Sequence, residues 1–132
     1  MSKSAIYTAN TGNQILDVGS QIDLGSIIRR FGCNIGLAGN GITILGNGYY
    51  KIDIAVTATP TAAGEVTVTL YKDGVAVQGA TASDYNTAGN PSSLSITSIV
   101  RETCCDNASI YTLVFSGSAG TVNNVGVTVV KL

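Results

Sequence analysis

Alternation is the feature that most constrains this chain. Across "GYYKIDIAVTAT", residues 48 to 59, Tyr50, Ile52, Ile54 and Val56 share one parity, while Tyr49, Lys51, Asp53 and Ala55 share the other. An extended strand points successive side chains to opposite faces, whereas a helix repeats about every 3.6 residues. The segment therefore has two faces, one fully apolar and one mixed. Val66, Val68 and Leu70 repeat the pattern against Thr67 and Thr69. On the run that ends the sequence, Val127 and Val129 oppose Gly126, Thr128 and Val130. Asp73-Gly74 between "EVTVTLYK" and "VAV" is a strong hairpin signal, because both central residues of a tight type I′ turn need positive φ.

Similar runs rich in Val, Ile, Thr and Tyr recur from "SAIYTA" to "VNNVGVTVVKL", separated by Gly-Asn pairs and by Pro60 and Pro91, and no segment keeps helical spacing. About ten strands are expected, in a β-sandwich of jelly-roll or Greek-key type. The 132 residues form one domain, with residues 1 to 30 expected as an irregular attachment segment or a first strand. Charged residues make up 11% of the chain, well below the roughly 25% of ordinary soluble domains, and Thr, Ser, Asn and Gly take their place. Two explanations stand side by side: a surface solvated by hydroxyls, or a surface covered by assembly.

Much chemistry is excluded. Without histidine, neither a Ser-His-Asp triad nor a Cys-His pair exists within one chain. Among the eight carboxylates, Asp53 and Glu65 are the pair to test as a glycosidase site across a sheet. Glu102, Asp106 and Asn107 supply oxygens for a calcium loop, though without EF-hand spacing. The preferred reading of both groups is solvated charge, and no catalytic residue or cofactor is expected. Cys104 and Cys105 are adjacent and poorly placed to bridge one another; with Cys33 they are expected as reduced thiols rather than metal ligands. Net charge is −1 and Arg29-Arg30 is the sole basic cluster, so nucleic acid is not an expected partner. No stretch has the length of a membrane span. "MSKSAIYTANTGNQ" lacks an apolar run after its lysine, so synthesis and residence in the cytoplasm are expected, without a secretory signal.

With its leading glycine and alternating apolar positions, "GYYKIDIAVT" resembles the central strand of C1q/TNF-like jelly rolls. The order of the remaining strands fits over nearly the whole chain. The longer stretch "GYYKIDIAVTATPTAAGEVTVTLYKDGVAVQGATAS" is similar to small C1q/TNF-like proteins of phages and prophages, generally taken as virion surface proteins. The Gly-X-Y stalk of C1q is missing. The resemblance implies a homotrimer, with Tyr49, Lys51, Asp53 and Ala55, together with Gly126, Thr128 and Val130, turned towards neighbouring subunits. Lys51 and Asp53 would then meet opposite charges on another chain. It further implies a non-enzymatic decoration of the capsid surface, with the major capsid protein as partner. Arg29 and Arg30, in the N-terminal segment, are the charged candidates for that contact, against an ordinary solvated loop pair. The alternative is a receptor- or carbohydrate-binding tip of a tail fibre or spore surface, using Tyr85 in the expected loop "SDYNTAGNPSS".

Overall fold

The computed structural model describes residues 3–32, 34–103 and 108–132. Twelve strands follow in chain order: β1 Ala5–Asn10, β2 Gln14–Leu16, β3 Ser20–Gln21, β4 Ser26–Phe31, β5 Ile35–Ala38, β6 Gly41–Ile44, β7 Gly48–Pro60, β8 Gly64–Lys72, β9 Val75–Asn86, β10 Ser92–Glu102, β11 Ser109–Gly117 and β12 Gly120–Lys131. They form two antiparallel sheets. The first has the order β10-β7-β12-β1-β4, with β2 added to β12; the second has the order β5-β6-β11-β8-β9, with β3 added to β11. From β6 to β8, and again from β9 to β12, consecutive strands alternate between sheets, as jelly rolls require.

The core is built by the parity visible in the sequence. Tyr50, Ile52, Ile54 and Val56 of β7 and Val127 and Val129 of β12 turn inwards and are almost fully buried against Val66, Val68 and Leu70 of β8 and Leu113 and Phe115 of β11. Each such side chain contributes roughly 1.5–3 kcal/mol on burial. The Tyr50 hydroxyl accepts a hydrogen bond from Asn34 Nδ2 at 2.9 Å and lies 3.3 Å from the Gly46 carbonyl. Asp73 and Gly74 both have positive φ (50° and 84°) and close the β8–β9 hairpin as expected.

Three expectations about local structure need correcting, and two others are refined. The expected sandwich has twelve strands where about ten runs are read: "EVTVTLYKDGVAV" is a hairpin that supplies both β8 and β9, and "QIDLGSII" is divided, since a side chain at Gly25, whose φ is 83°, would collide with the Ala9 carbonyl. The N-terminal segment carries β1 to β4. Arg29 and Arg30 are therefore on an edge strand and not in a loop, since β4 pairs with β1 through Tyr7↔Arg29 and Ile6↔Arg30. "SDYN" is also strand: Tyr85 pairs with Glu65, and only 87 to 91 form the connection, which crosses between sheets. Its polarity misleads because the outer face of β8 and β9 is lined by hydroxyls. Pro60 is the last residue of β7, not part of a loop.

Candidate subunit interface

The outer faces of the two sheets differ in chemistry. On the second sheet, threonines and serines stand opposite one another, with Thr67 Oγ1 at 2.9 Å from Ser83 Oγ and Thr81 Oγ1 donating to Thr69 Oγ1 at 3.3 Å. These pairs satisfy one another and water equally well. On the first sheet the outward positions carry Tyr7, Phe31, Tyr49, Ile99 and Val130, all exposed in the single chain. Ile99 is 61% exposed and Phe31 59%, large values for apolar side chains on strands that bury their other face.

Register places these residues in rows across the first sheet. One row reads Thr97, Asp53, Thr128, Tyr7, Arg29. The next towards one end reads Ile99, Lys51, Val130, Ala5, Phe31. Towards the other end lie Ser95, Ala55, Gly126 and Ala9. Their small side chains leave a shallow trough bordered by Tyr7, Thr97 and Asn124. A Cβ added at Gly126 would sit 3.7 Å from the Tyr7 ring, so the tyrosine lies over the glycine in ordinary contact. All seven residues expected on the second face of β7 and β12 thus share one surface.

Charge on this surface is sparse and loosely held. Asp53 Oδ1 accepts a hydrogen bond from Thr97 Oγ1 at 2.9 Å, and Oδ2 lies 3.9 Å from Lys51 Nζ. With both side chains about half exposed, that ion pair contributes well under about 1 kcal/mol. The Arg101 guanidinium stands 5.8 Å from the centre of the Tyr49 ring, a weak cation–π contact.

A second polar cluster ties the sheets together. Glu102, at the end of β10, is only 3% exposed; it accepts a hydrogen bond from the Tyr111 hydroxyl, and Lys72 Nζ lies 3.2 Å from its Oε2. Burial, then the neighbouring Glu102 carboxylate, pushes the Tyr111 hydroxyl well above its usual pKa. Tyr50 is also raised, chiefly by burial. Glu102 is therefore an internal tether and not a loop ligand, while Asp106, Asn107 and the three cysteines lie outside the described residues. Asp53 and Glu65 do not meet, because they sit on strands of opposite sheets. Among the described residues no group of three or more His, Cys, Asp or Glu side chains is placed to hold a metal ion.

The sequence reading missed Tyr7, Phe31, Ile99 and Arg101 as members of this face. Ile99 carried a usable signal: it is apolar yet out of phase with the inward Leu94, Ile96 and Val100. Arg29 was noticed, but as a loop charge.

No protein-family model matches the chain, and no curated protein does. Solved structures do match. Murine APRIL aligns over 99% of this chain and 100% of its own, with 12% identity and a TM-score of 0.74. The globular domain of zebrafish complement 1qA aligns over 97% and 95%, with 8% identity and a TM-score of 0.71. The PRD1 vertex protein P5 aligns over 98% and 96%, with 12% identity and a TM-score of 0.69. At such low identities the likeness speaks to the fold alone: over nearly all of its length the chain shares the jelly-roll sandwich of these proteins.

Proposed function

We propose that the chain assembles into a homotrimer through the outer face of the first sheet and serves as a non-enzymatic structural protein on the surface of a phage capsid. The observation that carries this reading is the contrast between the two outer faces. On the second sheet β8 and β9 pair hydroxyl with hydroxyl, with Val75 and Tyr85 the large side chains exposed on β9; the outer face of the first displays Tyr7, Phe31, Tyr49, Ile99 and Val130 beside a shallow trough. Covering contiguous apolar surface is the main driving force for stable association. The virion setting is supported by the fold shared with the PRD1 vertex protein P5 across nearly all of both chains. In this reading the protein is made in the bacterial cytoplasm, and the major capsid protein is its partner. Arg30, exposed on the side of β4 away from the apolar face, is available for that contact.

Light scattering of the purified chain tests the assembly: the expected mass is three times 13.4 kDa, and a single-chain mass refutes it. Co-sedimentation with undecorated capsid shells then tests the partner, and trimer left entirely in the supernatant refutes decoration. A second reading rests on Tyr85, 66% exposed on the second sheet and free to stack on a sugar ring. Glycan-array binding lost in Tyr85→Ala would favour that reading over capsid attachment.

A further inference from the structure

We infer that Arg29 of one subunit pairs with Asp53 of the next, and that this interchain ion pair fixes the register of the assembly. The inference rests on the trimer proposed above and goes beyond it by naming the contact. A three-fold interface is heterologous: a patch on one subunit meets a different patch on its neighbour. For the outer face of the first sheet this brings the β10–β7 side of one subunit against the β1–β4 side of the next. A pure rotation also preserves height along its axis. With strands running along that axis, residues of one row meet residues of the same row on the neighbour. The row that holds Asp53 ends in Arg29.

No other row offers this match. Among the described residues Asp53 is the sole acidic side chain on the face, and Lys51 shares its row with Ile99, Val130, Ala5 and Phe31, which present it no anion. Within one chain Asp53 and Arg29 are separated by three strand spacings, about 14 Å, too far for contact. Among the described residues Arg29 has no carboxylate partner, while Asp53 has only a hydroxyl and the loose contact to Lys51. Sheet twist tilts the row, and the long arginine side chain absorbs the tilt. Arg30 pairs with the inward-facing Ile6 and so belongs to the other side of the strand.

Charge exchange tests the pair. Native mass is measured against dilution for wild type, Arg29→Glu, Asp53→Arg, the double exchange and Arg30→Glu, with circular dichroism to verify folding. Each single change is expected to raise the concentration at half-dissociation at least about 30-fold, the size seen when one member of a desolvated pair is lost. The double exchange should recover most of that loss, and Arg30→Glu should match wild type. If Asp53→Arg fails to fold, Asp53→Asn replaces it, with a smaller loss of the same sign. Trimeric wild type with unaffected single variants overturns the pair but leaves the trimer standing. The same holds if the double exchange is no better than the singles, or if Arg30→Glu weakens assembly as much as Arg29→Glu. A wild type of single-chain mass at every concentration overturns both.

Discussion

Replacing Lys72 with methionine should expose how much the buried carboxylate depends on its cation. Glu102 ends β10 in the first sheet, while Lys72 and Tyr111 belong to the second, so the cluster bridges the sandwich. Removing one member of a fully buried pair costs about 3–5 kcal/mol, since the remaining charge is stranded. Lys72 is 38% exposed, so water already screens the pair, and Tyr111 still donates after the change. The expected loss is therefore about 2 kcal/mol. With a urea m-value of about 1.5 kcal/mol/M, the midpoint should fall by roughly 1.3 M. The chain has no tryptophan, so tyrosine fluorescence and far-UV circular dichroism are the probes, at one fixed protein concentration because the proposed assembly would couple to unfolding. The comparison that gives the experiment its force is the double change Glu102→Met with Tyr111→Phe. It removes the charge and its donor together and should cost less than Lys72→Met alone. A loss below about 0.5 kcal/mol for Lys72→Met, or a double change that is the more damaging, would refute the stranded-charge argument.

Thr8 is fully buried on β1, and its Oγ1 has no hydrogen-bond partner. Thr8→Val should stabilise by about 1 kcal/mol and raise the melting temperature by about 3–5 °C; a lowered melting temperature would show that a buried water satisfies the hydroxyl. Stability should also decline in alkali. Unfolded tyrosine ionises near 10.0, whereas folded Tyr111 and Tyr50 hold their protons beyond that. Above pH 10 the unfolded chain thus binds fewer protons than the folded one, and the free energy of unfolding falls as pH rises. Below that pH both states are protonated and these groups contribute nothing to the slope. Urea midpoints should stay level up to about pH 9.5 and drop above 10, with a shallower drop in Tyr111→Phe; equal slopes in the two proteins would exclude Tyr111 as the cause.

The two faces of β7 were legible because period two is local: Tyr50, Ile52, Ile54 and Val56 needed no neighbour to declare themselves. The Asp73-Gly74 hairpin was legible for the same reason, since positive φ is a demand of the turn itself. What failed was non-local. Glu102 looks like a loop carboxylate, because Lys72 and Tyr111 reach it from another sheet, 30 and nine positions away in the sequence. Tyr85 looked like loop because β9 pairs hydroxyl with hydroxyl, and a strand of that kind has the composition of a turn. Arg29 and Arg30 looked like loop for a related reason. An edge strand with a bulge opposite Tyr7 and Thr8 carries charges that a central strand would not, and such charges discourage stray pairing.

The low charge of the chain offered two explanations, self-solvation by hydroxyls or burial in an assembly, and the proposed trimer assigns one to each sheet. The second sheet presents Thr67, Thr69, Thr81 and Ser83 in contact with one another, and such a surface tolerates water without formal charge. The first sheet presents Ile99, Tyr49, Val130, Tyr7 and Phe31, and adding hydroxyls elsewhere does nothing for these. Among the described residues its four charges, Arg29, Lys51, Asp53 and Arg101, are placed among apolar side chains where they make only weak contacts within one chain. Charges used for solubility would stand clear of such neighbours and outnumber them. Charges used for register would be few, placed in particular rows and incompletely partnered until another copy arrives, as Arg29 and Asp53 are. The proposed trimer would cover the apolar residues of the first sheet, and a jelly roll can meet that demand without altering its core.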